Sequence, residues 1–281
     1  MTYLGNSRGF IVKNQTKHGY TVGGKAEQLN NINSNLVPNY VVIPTEVDDC
    51  ELGEAIYNAV IKLTADFKAF IFNSNANSRH RYAVRSSAIA EDGEGQSYAG
   101  IFESKLNVPV TGLETAVREV RDSANTGRVQ AYSNHPINFN GCLKKNCSVH
   151  GDNEGTQKVA VIIMDMVDAQ YSGVLFSKEP VDGTDRMLVE YEEGAGGVVD
   201  GTGNSTMFFL DKKDFYGKDT TDTIGGGIDH VNATMAIWKE AKRLENNYRK
   251  PVDIEWAIDK EGKPWVLQVR PITAMKESTN A

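Results

Sequence analysis

The end of the chain places the strongest constraint on its fold. Residues 251–273 read PVDIEWAIDKEGKPWVLQVRPIT, in which two runs of alternating apolar and polar residues flank a polar turn at 259–263. Side chains on a strand alternate between its two faces, so this pattern predicts a β-hairpin. We therefore expect the chain to end in two antiparallel strands with one apolar face and one polar face.

The polar face of this hairpin brings together groups that suit a metal ion and a phosphate. If the turn is centred between residues 261 and 262, Glu255 lies opposite Gln268 and Asp253 lies opposite Arg270. Hard oxygen atoms suit Mg²⁺, and a planar guanidinium suits phosphate. A surface hairpin crossed by a salt bridge is the alternative interpretation. The residues of opposite parity can face a core: Ile254, Trp256, Leu267 and Val269.

Length and charge limit the classes of protein to which the chain can belong. Its 281 residues can form one large domain or two lobes with separate cores. The net charge of −7 argues against a general nucleic-acid or membrane-surface role. No apolar run approaches the roughly 20 residues needed to span a bilayer, and the start MTYLGNSRGF lacks the apolar core of a signal peptide.

The cysteines indicate a reducing compartment. Cys50, Cys142 and Cys147 are too few and too scattered for a disulfide framework, so we expect a cytoplasmic protein. A zinc site at Cys142, Cys147 and His150 is disfavoured, because the spacing is unusual and no second ligand pair follows. An ordinary loop is the stronger interpretation of that segment.

The pattern along the rest of the chain predicts a mixed α/β protein with two lobes. We place the N-terminal lobe at 1–165 and the C-terminal lobe, which carries the hairpin, at 166–281. The predicted elements are helices over 46–72, 113–132 and 233–248, and strands over 82–90, 101–108, 159–164, 172–177 and 187–191.

Two segments of the N-terminal half contain cationic residues beside small ones. Gly23-Gly24-Lys25 is only a fragment of a phosphate-binding loop, and taken alone it could be a turn followed by an exposed lysine. Residues 82–104 read YAVRSSAIAEDGEGQSYAGIFES, where Arg85 is followed by two hydroxyls and a glycine-rich turn. Small residues allow a loop to close over phosphates, and Arg85 can clamp two oxygens. A hairpin with a flexible tip is the alternative.

A third segment, residues 159–180, supplies an apolar wall. It reads VAVIIMDMVDAQYSGVLFSKEP and begins with a continuous apolar run that predicts a buried strand. Apolar side chains such as Met166 and Val167 suit the ring of an adenine. A core strand with methionine fillers is the alternative, and both interpretations can hold together.

These segments together resemble the ATP-binding domain of the phosphoenolpyruvate synthase and pyruvate phosphate dikinase family. The matching strings are GGKAEQLNNI, V-R-S-S-A with S-x-A-G, V-A-V-I-I-M-D-M-V with S-G-V-L-F-S, and D-I-E-W with L-Q-x-R-P-I-T. They extend from about Lys25 to Thr273, nearly the whole chain. The resemblance implies an ATP-grasp-like fold, with the nucleotide in a cleft between the lobes.

The resemblance also implies roles for individual residues. Lys25, Arg85 and Arg270 would neutralise the triphosphate and its transition state, and residues 91–100 would form a lid with Gly100 near the nucleotide. A hinge strand whose backbone pairs with adenine would include Met164, Met166 and Val167. The hairpin would supply Glu255 and Gln268 as Mg²⁺ ligands, with Asp253 beside Arg270.

The chain departs from the family pattern in two places. Met164 stands where the family often has Gln, which main-chain recognition of adenine can tolerate. In E-G-A-G-G-V-V-D-G, Gly196 replaces the glutamate of the usual G-L-G-E-x-V-V-S-G. None of the five histidines lies in the T-x-H-like setting of the family's carrier domain, and the chain ends soon after R-P-I-T, so we expect a nucleotide-binding domain alone.

Two functions follow as hypotheses. The first is an ATP-dependent phosphotransferase subunit that uses Mg²⁺ and passes a phosphoryl or pyrophosphoryl group to a separate phosphohistidine carrier domain or protein, or to a small molecule. The second is an ATP-binding sensor or regulatory module without turnover. A purely structural role would not explain the set Lys25, Arg85, Glu255 and Arg270. Neither nucleic acid nor a membrane is expected as a partner.

Overall fold

The computed structural model describes residues 2–3, 9–11, 21–63, 80–88, 104–123, 159–195, 205–216 and 231–272. The helices of this part are α1 (Gly23–Leu29), α2 (Leu52–Leu63), α3 (Leu113–Ser123) and α4 (Val231–Tyr248), with a 3₁₀ turn at Val110–Gly112. The strands of the first half are β1 (Thr2–Tyr3), β2 (Gly9–Ile11), β3 (Tyr40–Ile43), β4 (Arg81–Ser87), β5 (Ser104–Pro109) and β6 (Ala160–Asp165). Those of the second half are β7 (Ala169–Phe176), β8 (Met187–Glu193), β9 (Thr206–Leu210), β10 (Val252–Asp259) and β11 (Pro264–Pro271).

The strands form two sheets that follow one another along the chain. The first sheet has the order β1-β2-β3-β6-β4-β5 and the second the order β11-β10-β7-β8-β9. Apart from the parallel pair β2–β3, every neighbouring pair is antiparallel. The predicted mixed α/β class is confirmed. The lobe boundary at 165/166 stays a prediction, although the last strand of the first sheet ends at Asp165.

Strand β6 faces a core on each side, which explains its unbroken run of apolar residues. Val161 and Ile163 pack in a cluster with α2 and α3. Ile162 and Met164 point the other way, into a second cluster that includes α1, α4 and the inner face of the second sheet. Because a strand alternates its side chains, only a run without polar breaks can fill both cores.

Helix α1 begins in direct contact with the end of β4. Gly23 has a φ of +76°, and a Cβ built there would lie 2.1 Å from the carbonyl oxygen of Ser87. The amide of Gly24 donates to the carbonyl of Ala88 at 2.9 Å. The carboxylate of Glu46 accepts from the amide of Thr21 at 3.1 Å and holds the segment that leads into the helix. Only glycine combines this backbone angle with this close approach.

The hairpin has the predicted register beside the polar residues. Asp253 pairs with Arg270, and Glu255 pairs with Gln268. Beyond Glu255 the register shifts by one residue, so that Trp256 lies opposite Val266 instead of the expected Leu267. Leu267 is the extra residue of a β-bulge, which turns one residue of a strand away from the regular ladder.

One predicted helix begins later than expected, and another is described only in part. Residues 46–51 form turns rather than helix, and α2 begins at Leu52. Helix α3 is described to Ser123, and the remainder of the predicted helix to 132 lies outside the described residues. Within the described ranges, no helix is both long enough and apolar enough to cross a membrane.

The contact between α1 and β4 leads to the first prediction. Replacing Gly23 with Ala should lower the free energy of unfolding by more than about 1 kcal/mol, because the new Cβ meets backbone and the φ is unfavourable. Gly53→Ala is the matched control, since a Cβ there meets only the Glu114 side chain, at 3.9 Å. Urea denaturation of both variants tests the prediction. Equal stability of the two variants would contradict it.

Candidate functional site

Residues from several predicted motifs converge on one cleft between the sheets. The cleft is lined by two residues of α1, one of β4, two of β6 and two of β11: Lys25, Leu29, Arg85, Ile162, Met164, Leu267 and Gln268. The polar lining residues come from segments that are far apart in sequence, and the apolar ones form a wall beside them. Folding therefore assembles the Gly-Gly-Lys, V-R-S-S-A, buried-strand and hairpin motifs into one site.

Arg85 connects the two sheets through its guanidinium group. Its Nη2 donates to the carboxylate of Glu255, and its Nη1 donates to the carbonyl oxygen of Leu267 at 3.2 Å. The second acceptor belongs to the bulge residue, so the register shift in the hairpin helps to hold the arginine. The Nε of Arg85 is buried and has no hydrogen-bond partner among the described residues. An N–H donor is therefore left for another acceptor.

Glu255 is an ionised, buried carboxylate surrounded by cations. Its side chain is 10% exposed. Burial raises the pKa of Glu255, but the guanidinium of Arg85, together with the charges of Arg270 and Lys25, lowers it by more, so the net pKa lies below its ordinary value. The negative charge is thus stabilised by positive charge from α1, β4 and β11.

Asp253 and Arg270 form a second ion pair next to the first. The Nη2 of Arg270 donates to Oδ2 of Asp253 at 2.5 Å, and the Arg270 side chain is 29% exposed. Burial raises the pKa of Asp253 above its ordinary value despite the opposing effect of Arg270. The other carboxylate oxygen, Oδ1, is buried without a partner in the described part of the chain.

The hairpin oxygens fit Mg²⁺ only as a partial set of ligands. Gln268 is buried opposite Glu255 and lines the cleft. Among the described residues, no three His, Cys, Asp or Glu side chains cluster as a metal site. Mg²⁺ commonly takes one or two protein oxygens and completes its shell with phosphates and water. The pair therefore fits a metal that arrives with a phosphate ligand, and the unpaired Nε of Arg85 fits the phosphate.

The predicted adenine-binding residues lie at the end of β6 and just after it. Met164 is buried and lines the cleft, but its backbone lies inside the sheet between Tyr40 and Ala83, so only its side chain reaches the site. The amide of Met166 donates to the carbonyl of Arg81 at 3.0 Å, and the carbonyl of Val167 accepts from Ala169 at 3.0 Å. Both of these backbone groups are therefore already hydrogen-bonded.

Several predicted features lie outside the described residues. These are the lid at 91–100 with Gly100, the altered glycine loop at Gly196, and the segment with Cys142, Cys147 and His150. Cys50 is described and is exposed. The roles assigned to all of these residues stay predictions.

Sequence reasoning missed three contributors to the site. Leu29 lies one helical turn after Lys25, a spacing that could have identified it. Ile162 was recognised as apolar but not as a lining residue. The carbonyl of Leu267 accepts from Arg85 at the β-bulge of the hairpin, and no local residue pattern predicts that bulge.

Comparison with known proteins identifies the family of the chain. The family model for the pyruvate phosphate dikinase AMP/ATP-binding domain matches residues 34–223 and 231–281. A probable phosphoenolpyruvate synthase of Methanothermobacter thermautotrophicus is 30% identical over 224 residues, which cover 70% of this chain and 30% of that protein. An uncharacterized phosphotransferase, YvkC of Bacillus subtilis, is 26% identical over 99% of this chain and 34% of its own length. The chain thus spans about a third of the length of these relatives.

Solved structures resemble the chain more weakly. PH1788 from Pyrococcus horikoshii aligns over 92% of this chain and 93% of its own, with 12% identity and a TM-score of 0.47. A dinucleotide-forming acetyl-coenzyme A synthetase of Ca. Korarchaeum cryptofilum aligns over 90% and 92%, with 10% identity and a TM-score of 0.46. Scores this low carry no argument about function. The family model covers most of the sequence, and the chain belongs to the pyruvate phosphate dikinase AMP/ATP-binding domain family.

Proposed function

We propose that the protein binds Mg²⁺-ATP in the cleft and transfers a phosphoryl or pyrophosphoryl group to an acceptor in trans. The acceptor would be a histidine on a separate carrier domain or protein, or a small molecule. The observation that carries the proposal is the Arg85–Glu255 ion pair, which joins the two sheets. The positive charges of Lys25 and Arg270 also lower the pKa of Glu255. The scattered cysteines favour a cytoplasmic location.

The charged residues supply what phosphoryl transfer requires. This reaction depends mainly on positioning and on stabilising charge that spreads over the transferred group. Lys25, Arg85 and Arg270 would hold the phosphates and offset their charge. Glu255 and Gln268 would hold the Mg²⁺, which when bound supplies further charge neutralisation. Each of these five residues is on a helix or a strand, so little reorganisation of the backbone is needed.

The order of the residues along the cleft supports one orientation of the nucleotide. Along β10, Asp259 pairs with Ala169 next to the end of β6, whereas Asp253 pairs with Phe176 at the far end of β7. The apolar wall with Met164 lies on the β6 side and suits the adenine. Glu255 and then Asp253 follow along the strand, so the phosphates and the acceptor would lie toward Asp253 and Arg270.

The Arg85–Glu255 ion pair would also make metal binding depend on the nucleotide. In the structure Arg85 is bonded to the carboxylate that would hold the metal. A phosphate that draws the guanidinium away would release Glu255 for Mg²⁺. Metal and nucleotide would therefore bind together, and the metal alone would bind weakly.

A module that binds ATP without turnover is the second candidate. The substitution of Gly196 for the glutamate of the family's glycine-rich motif favours it. Both candidates require nucleotide binding at the same residues, so only turnover separates them.

Binding of Mg²⁺-ATP is the first test of the proposal. At 100 times its dissociation constant, the nucleotide should raise the free energy of unfolding by about 2.7 kcal/mol, because it binds only the folded protein. Calorimetry and thermal unfolding, each with and without Mg²⁺, measure this. If ATP does not bind when Mg²⁺ is present, both candidate functions are wrong.

The two hairpin carboxylates should differ in their effect on metal-dependent binding. We expect Glu255→Ala to weaken Mg²⁺-dependent ATP binding more than Asp253→Ala, because Glu255 lies opposite Gln268 whereas Asp253 holds Arg270 in place. Titration with ATP at several Mg²⁺ concentrations compares them. The reverse order would assign the metal to Asp253, whose Oδ1 is buried without a described partner.

Arg270 should matter more for turnover than for affinity. Arg270→Ala should lower turnover by roughly 10²- to 10³-fold, the loss expected when one preorganised donor to a developing charge is removed. Affinity should fall less, since Lys25 and Arg85 still hold the phosphates. ATP consumption with a candidate histidine-carrier protein and direct binding to the same variant make the comparison. A variant with wild-type binding and turnover would remove Arg270 from the site.

Metal binding without nucleotide tests the role of the Arg85–Glu255 pair. Arg85→Gln should raise the affinity for Mn²⁺ alone by about tenfold or more, since one hydrogen bond to a buried charge contributes about 1.5–3 kcal/mol. Arg270→Gln removes the same charge without breaking the bond to Glu255 and is the control. Mn²⁺ binding is followed by electron paramagnetic resonance. Equal affinities in both variants would show that Arg85 does not cover the metal ligand.

A further inference from the structure

Helix α1 has no capping side chain of its own. The residue at its N-cap position is Val22, which has no side-chain acceptor, and the first turn contains no acidic residue. The first amides of a helix have no partner within the helix and must find acceptors elsewhere. Here two of them bond to the end of β4: Gly24 donates to the carbonyl of Ala88 at 2.9 Å, and Ala26 donates to Oγ of Ser87 at 3.0 Å.

We propose that Ser87 is a positioning residue that caps α1 from the neighbouring strand and thereby holds Lys25 in place relative to Arg85. This inference rests on the proposed function of the cleft. Lys25 lies between the two amides that bond to β4, so its backbone is held on both sides. Arg85 lies two residues before Ser87 on the same strand, and both side chains point to the same face. A single strand end therefore positions both phosphate-binding cations.

The close packing at this junction makes the hydroxyl difficult to replace. Ser87 is fully buried, and its carbonyl is the atom that a Cβ on Gly23 would meet. Neither a larger side chain nor water can enter without moving α1 away from β4. The Ser87 hydroxyl is therefore the acceptor that is available to the amide of Ala26.

The adjacent serine has a different environment and offers a matched control. Ser86 is also fully buried, but it faces the opposite side of β4, and its Oγ has no hydrogen-bond partner among the described residues. Sequence alone presents Ser86 and Ser87 as two equivalent hydroxyls after Arg85. The structure assigns the capping bond to Ser87 only.

The proposal is tested by measuring the affinities for ATP and for adenosine in both serine variants. Ser87→Ala should weaken ATP binding roughly fivefold, the typical effect of losing one helix cap, and leave adenosine binding unchanged, because Lys25 meets only the phosphates. Ser86→Ala should change neither affinity.

A double variant separates positioning of Lys25 from general loosening. In a Lys25→Met background, Ser87→Ala should have no further effect on ATP affinity. The proposal is overturned if the loss persists in that background, if Ser86→Ala has the same effect as Ser87→Ala, or if adenosine binding falls equally.

Hydrogen exchange tests the cap without any nucleotide. In the ligand-free protein, the amide of Ala26 should exchange faster in Ser87→Ala than in Ser86→Ala or in the wild type. Unchanged protection of Ala26 would overturn the proposal, whether or not ATP binds. Failure of the wild type to bind ATP, with Ala26 protected as expected, would instead count against the proposed function and the part of the inference that concerns Lys25.

Discussion

The site depends on the guanidinium group of Arg85, which is bonded to both strands of the hairpin. A buried charge is costly unless it is paired, and removing one partner of a buried pair costs more than the pair itself contributes. Arg85 and Glu255 meet this requirement for each other across the two sheets, and the carbonyl of Leu267 accepts a further N–H. The relative placement of β4, β10 and β11 is therefore tied to one side chain. A guanidinium also suits phosphate, so under the proposed function the group that joins the sheets is also the group that the nucleotide contacts.

Around this pair, the fold builds a site in which each carboxylate already has an arginine partner. Two carboxylates of β10 face cations from α1, β4 and β11, and the pKa of Glu255 is lowered while that of Asp253 is raised. The two ion pairs are neighbours on one face of the hairpin but differ in surroundings. Glu255 is held by an arginine from the other sheet, whereas Asp253 is held by an arginine of its own hairpin. Binding of a nucleotide would therefore disturb the Arg85–Glu255 pair more than the Asp253–Arg270 pair.

Membership in the pyruvate phosphate dikinase AMP/ATP-binding domain family agrees with this arrangement but does not name an acceptor. The matched region covers only about a third of the length of these relatives. The geometry adds a direction to the family assignment. Ile162 and Met164 of β6 line the cleft, and the proposed function puts the acceptor toward Asp253 and Arg270, at the end of β10 away from Asp259.

Sequence alone was sufficient wherever the governing contacts are local. The pairings of Asp253 with Arg270 and of Glu255 with Gln268 follow from a period of two residues and a short turn, and the structure has both. The apolar run of β6 likewise predicted a buried strand. The family strings identified Lys25, Arg85 and Gln268, which meet in one cleft. The hairpin pairs and the buried strand are set by neighbours in the chain, so the residue pattern is enough to predict them.

Only the tertiary structure decided the contacts between distant segments. Arg85 and Glu255 are 170 positions apart, and their bond depends on how two sheets pack. The bulge at Leu267 shifts the register by one residue, which hydrophobic alternation does not reveal. Ser86 and Ser87 cannot be distinguished from the sequence, but they face opposite sides of β4. Ser87 faces α1 and accepts a hydrogen bond from the amide of Ala26, whereas the hydroxyl of Ser86 has no partner among the described residues. The sequence by itself determined which residues could form the site, and three-dimensional packing determined which of them are bonded to each other, because those bonds join surfaces that the chain order keeps apart.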